Sequence, residues 1–101
     1  MTAVELRGRL VCRTVDEAAT VARELPRHIE LTRAEPGCVQ FDVERTDDPL
    51  VWSVSERFAD REAFDAHQER VRASAWGLAT VGIERDYVIA VVSETEFSAE
   101  R

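Results

Sequence analysis

Apolar and polar residues alternate from Val4 to Cys12, with Val4, Leu6, Gly8 and Leu10 set against Glu5, Arg7 and Arg9. A period of two sends successive side chains to opposite faces, so this segment predicts a strand with one buried and one polar face. The period then lengthens. Thr14-Val15-Asp16-Glu17 reads as a capping box whose acids suit the positive end of a helix dipole. Val15, Ala18, Ala22, Leu25 and Ile29 follow at intervals of three and four, which predicts one apolar stripe. Pro26 lacks an amide proton and would clash with the Ala22 carbonyl, so a kink or restart is expected there. Glu35-Pro36-Gly37 is a helix stop.

Alternation returns in Cys38–Arg45, where Val39, Phe41 and Val43 oppose Gln40, Asp42 and Glu44. Thr46-Asp47-Asp48-Pro49 is turn chemistry, so Val51–Phe58 should come back as the second arm of a hairpin. It carries Trp52, Val54, Glu56 and Phe58 on one side and Val51, Ser53, Ser55 and Arg57 on the other. Asp60 caps a second helix, with Phe64, His67, Val71, Ala75 and Leu78 near one stripe. Gly77 and Gly82 weaken its end and predict two pieces. The last strand, Ile83 to Val92, holds the unbroken apolar run from Tyr87 to Val92. Residues 93–101 form a polar tail expected to fray, with Phe97 as its apolar anchor.

The order β-α-β-β-α-β predicts an α+β, ferredoxin-like domain: a four-stranded antiparallel sheet with both helices on one face. Cys12 and Cys38 would then lie at opposite ends of parallel strands, beyond the ~7 Å that a disulfide spans. The final strand is apolar on both sides, yet two helices cover only one face, and the sheet has open edges. A homodimer packed through the sheet would meet both needs. Against it, Arg7, Arg9, Gln40, Asp42, Glu44, Ser53, Ser55 and Arg57 make much of the second face polar, with charges that cross-strand pairing could satisfy.

Composition narrows the function classes. The 101 residues are 45% hydrophobic and 33% charged, which suits one domain spanning 1–101. Twenty acidic residues against thirteen basic ones give a net charge of −7, arguing against nucleic acid and anionic membrane surfaces. No run approaches the ~20 apolar residues of a membrane span. The opening MTAVELRGRL has charges where a signal peptide is apolar, so a cytoplasmic location is expected. Every basic residue is Arg, which removes Schiff-base and P-loop lysine chemistry. Two Cys and two His, at 12, 28, 38 and 67, lack metal-ligand spacing, so no metal is expected.

The stretches LTRAEPGCVQFDVERTDDP and VWSVSERFADREAFDAH carry a resemblance to a known family. Arg33-Ala34-Glu35-Pro36-Gly37-Cys38, the D-D-P turn, Glu56-Arg57-Phe58 and the pair Ala66-His67 resemble the antibiotic biosynthesis monooxygenase (ABM) domains. The resemblance covers most of the chain and implies a dimeric α+β barrel. Family members include cofactor-independent oxygenases of aromatic phenols and quinols, haem-degrading proteins and quinol oxidases. Many other members have no known activity, and related barrels transfer protons without oxygen, as isomerases or dehydratases; the rival reading of this chain is a ligand-binding or structural domain that keeps the barrel without chemistry. The implied function is a cofactor-free monooxygenase of a small, electron-rich aromatic or quinol. The haem degraders use an Asn on the first strand, a Trp ending the third and a later His on the second helix. Here Gly8 and Phe58 stand at the first two, no His follows His67 and no Asn exists in the chain, so haem is not expected.

Such an oxygenase needs a proton acceptor in an apolar, water-excluding pocket. His67 sits on the apolar stripe of the second helix and titrates near ~6.5 when unperturbed. Its alternative role is a core-edge histidine bonded to a carbonyl or carboxylate. Glu56 falls on the helix-facing side of its strand, where an acid must pair or protonate; it is the second catalytic candidate, with a salt bridge to Arg85 as the alternative. Trp52, Phe58, Phe64 and Trp76 are candidate pocket walls, and Tyr87 a candidate oxyanion donor; each could equally be plain core. His28 reads as a solvated surface residue, and Arg27, Glu30, Arg33 and Glu35 as an exposed helical face.

Overall fold

In a computed structural model, which describes residues 2–93, the alternating segments become strands. They are β1 (Thr2–Val11), β2 (Cys38–Arg45), β3 (Val51–Phe58) and β4 (Glu84–Ser93). The helices are α1 (Val15–Arg33), α2 (Arg61–Ala73) and the short α3 (Ala75–Ala79). One four-stranded sheet forms in the order β2-β3-β1-β4, with every neighbouring pair antiparallel. This is the expected ferredoxin-like order. The expected tail beyond Ser93, including Phe97, lies outside the described residues.

Local chemistry sets the boundaries. The Thr14 side chain accepts from the Glu17 amide at 3.1 Å, and Asp60 accepts from that of Ala63 at 2.8 Å. Either cap is worth about 1 kcal/mol over alanine. The second helical segment does break in two, but at Ser74 rather than at a glycine: Ser74 ends α2 and caps α3 by accepting from the Gly77 amide. Pro26 does not restart α1, which runs unbroken through it. The proline lies on the exposed side of the helix, where the carbonyl it leaves free can be hydrated.

The stripe that α1 buries also differs from the expected one. Val21, Leu25, His28 and Thr32 are buried, whereas Val15 is 75% exposed. Ala18, Ala22 and Ile29 pack only at the margin of the core. The spacing of four, three and four is helical as predicted, but the inner face holds two polar residues, and an apolar pattern passes over them. His28 is therefore not a surface residue: it is 4% exposed.

Cross-strand rows explain what the sheet offers the helices. Pairing places Ile89, Leu6, Glu56 and Phe41 side by side across all four strands, and Tyr87, Gly8, Val54 and Val43 in the next such row. Leu6, Leu10, Phe41, Trp52, Val54 and Phe58 fill the helix-facing side. Full burial of Leu10 contributes about 1.5–3 kcal/mol. On the other face β1 and β3 set polar, mutually paired residues, while β4 places Val88 and Ala90 beside Arg7 and Glu5. Arg57 meets its register partner Glu5, Arg7 donates to Ser55, and Arg9 reaches Asp86 at 3.1 Å. Cys12 and Cys38 are free thiols at opposite ends of the sheet, near Val51 and Phe58 of β3 respectively.

The two edges differ. On β2 the register slips between Cys38 and Gln40, and the Arg33 guanidinium donates twice to the Phe41 carbonyl, at 2.9 and 3.1 Å. On β4, Val88, Ile89 and Val91 are 70%, 48% and 60% exposed.

Candidate functional site

The site lies where the row containing Leu6 and Glu56 passes beneath the helices. Because β3 alternates strictly, Glu56 shares the inward face of Trp52, Val54 and Phe58 and is only 6% exposed. Desolvation, with the Glu35 charge adding to it, pushes its carboxyl up to about 7. Glu56 Oε1 accepts no hydrogen bond among the described residues. The expected alternative partner, Arg85, is engaged elsewhere, donating to the Thr80 and Ile83 carbonyls at 2.7 and 2.9 Å.

His67 faces Glu56 from α2. Its Nε2 is 4.0 Å from Glu56 Oε1, and its Nδ1 lies 2.9 Å from Glu35 Oε1. Glu35 is held in turn by Arg70, which also donates to Thr32 Oγ1 at 3.0 Å. Burial lowers the imidazole's pKa, and the charge and hydrogen bond of Glu35 oppose that shift. Pattern alone does not mark Glu35 or Arg70 as site residues, and Glu35 does not belong to the expected exposed face: its side chain is 16% exposed. The available signal was the helix stop itself. Gly37 turns the chain at φ +90°, and a Cβ there would fall 2.6 Å from that of Ala63, so only glycine lets the end of α1 press against α2. Ala63 is one helical turn before His67.

The second histidine closes the group. The His28 ring stacks on Trp76 with centroids 4.5 Å apart and planes 2° from parallel, meets Phe41 edge-on at 5.2 Å, and lies 6.1 Å from His67. Its Nδ1 has no hydrogen-bond partner among the described residues. Desolvation, then the charges of His67, Arg70 and Arg85, push its pKa down to about 3, so the ring is neutral at any ordinary pH.

A cavity of about 370 Å³ opens beside these groups, bordered by Leu6, His28, Glu56, His67, Val71, Trp76, Val81 and Tyr87, with Gln68, Arg72, Gly77 and Arg85 completing its wall. It brings together four of the residues expected at a site: Glu56, His67, Trp76 and Tyr87. Burial pushes the Tyr87 phenol up to about 12, keeping it protonated and able to donate. The other three do not border it. Phe58 and Phe64 pack edge-to-face at 5.8 Å beneath His67, with the Phe58 ring 4.8 Å from the imidazole. Trp52 pairs with Leu10 nearer the far end of β3, under the Arg45 guanidinium at 4.5 Å. Strand alternation assigns a face, and the position along the strand decides whether a side chain reaches the cavity or the core.

The sequence profile of the antibiotic biosynthesis monooxygenase family matches residues 14–76, more than half of the chain, and the protein belongs to that family. No curated protein matches the sequence. Among solved structures, it is similar to Rv0793 of Mycobacterium tuberculosis, with 26% identity over 90% of this chain and 93% of that one and a TM-score of 0.65. PA3566 of Pseudomonas aeruginosa superposes with a TM-score of 0.68 at 22% identity, covering 91% and 93% of the two chains. SnoaB of Streptomyces nogalater, described as a cofactor-independent oxygenase, gives 0.65 at 15% identity over 92% and 93%. The last two likenesses concern the fold alone. Among the described residues no helix is long and apolar enough to cross a membrane.

Proposed function

We propose that this protein is a monooxygenase that needs no cofactor and acts on a small, electron-rich aromatic or quinol in the cavity beside His67. Family membership supports oxygenation. The observation that carries the reading is the convergence of a buried imidazole Nε2 and a buried, unpartnered carboxyl oxygen, 4.0 Å apart, beside that cavity. For an anthrone-type substrate, His67 Nε2 takes the proton of the acidic C–H or phenol. The resulting anion reduces dioxygen, and a C–O bond forms as a peroxide, whose outer oxygen takes the proton back from His67. Glu56 as carboxylate then removes the remaining C–H proton while the O–O bond breaks, and that proton joins the departing hydroxide. The methylene carbon ends as a carbonyl and one oxygen atom leaves as water, so the substrate supplies all the electrons. Tyr87, which borders the same cavity, is the phenolic donor for a developing oxyanion in this reading.

The same two groups could move a proton without oxygen, which is the isomerase or dehydratase reading. Oxygen uptake and mass spectrometry with labelled dioxygen separate the two: one labelled oxygen in the product supports oxygenation, and equal turnover under argon rejects it. No turnover with anthrone-, naphthol- or quinol-type probes favours a ligand-binding domain. The exposed apolar run of β4 supports a homodimer formed through the sheet. Light scattering at micromolar concentration should then give twice the chain mass, and Val91→Asp should give a monomer.

A further inference from the structure

We infer that Glu35, clamped by Arg70, is a positioning residue that holds His67 in the Nδ1–H tautomer and so leaves the Nε2 lone pair turned toward Glu56 and the substrate. The inference rests on the proposed proton-accepting role of His67 and adds to it. A carboxylate can only accept, so the 2.9 Å contact between Glu35 Oε1 and His67 Nδ1 requires the hydrogen to sit on Nδ1. A free imidazole in water favours the other tautomer, with its proton on Nε2, in which form it could not take a proton at the cavity. The carboxylate thus chooses the chemically useful form, as an acidic partner does for a catalytic histidine elsewhere. Glu35 has no freedom to turn away. Its second oxygen is bound by Arg70, and Arg70 is tied to the fully buried Thr32. The clamp therefore joins Thr32 of α1 and Glu35 of the turn after it to His67 and Arg70 of α2, across the junction that Gly37 allows to close. The groups facing His67 are Glu35 from the α1–β2 turn, Arg70 from its own helix, Glu56 from β3 and His28 from α1.

Nitrogen NMR of the full chain labelled at histidine tests this directly, because only two rings contribute signals. The wild type should show His67 protonated on Nδ1 and bare on Nε2 above its titration midpoint. Glu35→Ala should move the proton wholly or partly to Nε2, and Glu35→Asp should restore part of the original pattern. Glu35→Gln, lacking the charge, should lower the midpoint of His67. In turnover, Glu35→Ala should reduce kcat about a hundredfold with KM little changed, as expected for a residue that acts through the base. A wild-type ring protonated on Nε2, or one whose tautomer and midpoint ignore Glu35→Ala, overturns the inference. Should Glu35→Ala fail to fold, the wild-type tautomer and the Glu35→Gln titration decide the matter. If the wild type shows the Nδ1–H form but no oxygen-dependent turnover, the positioning role stands and the oxygenase reading falls.

Discussion

His28 and His67 lie 6.1 Å apart, are 4% and 3% exposed, and have opposite fates. His67 has a carboxylate on Nδ1 and keeps part of its basicity against the pull of burial. His28 has an indole on its face and nothing on Nδ1 among the described residues, and its pKa falls to about 3. Equal burial therefore does not make equal groups. One ring keeps part of its basicity, and its neighbour is a flat wall that stays neutral at ordinary pH.

Removing the proposed proton acceptor should have the largest effect. His67→Ala should cut oxygen consumption about a hundred- to ten-thousandfold, whereas His28→Phe, which preserves a flat ring against Trp76, should stay within a few-fold of wild type. Steady-state oxygen-electrode rates on the two variants would erase the contrast if both losses were alike.

Next comes Glu56. Its folded pKa of about 7 lies above the ordinary 4.5, so the folded chain retains a proton that the unfolded chain has released in that interval. Stability must fall as pH rises through it, by about 3 kcal/mol. Urea unfolding of Glu56→Gln at pH 5 and pH 8 should show this loss removed.

The slope for His28 has the opposite sign. Its pKa of about 3 against an ordinary 6.5 means that the unfolded chain gains a proton the folded chain refuses. Its stabilising contribution is present above pH 6.5 and is lost as pH falls toward 3, with about 2 kcal/mol gone by pH 5. His28→Phe should flatten that acid limb in the same urea titrations. The smallest effect is expected from Thr32→Val, which leaves Arg70 without one of its acceptors. It should cost about 1 kcal/mol in unfolding free energy and shift the His67 titration little.

The strands were legible almost residue by residue because alternation is a local signal, and Cys38–Arg45 and Val51–Phe58 match their predicted limits. The burial of Glu56 and His67 was legible from local pattern too, each sitting in phase with apolar neighbours. The inner face of α1 is not legible from pattern where polar residues occupy it, since His28 and Thr32 do not look like core. Glu35 was hidden differently. Its importance depends on a contact made 32 residues away, through a glycine whose role in the sequence was only to stop a helix. Trp52, Phe58 and Phe64 show the complementary limit, since aromatic type and face do not report distance from a cavity.

The Arg33 contact with the Phe41 carbonyl has a consequence for how the molecule can accumulate. That guanidinium occupies an acceptor on the margin strand where an incoming backbone would otherwise dock, and the adjacent slip in register spoils the template further. On the opposite flank Val88, Ile89 and Val91 of β4 are exposed. In the homodimer proposed above, two β4 margins that met would leave the guarded β2 margins facing outward, so growth would stop at a pair instead of extending into a fibre.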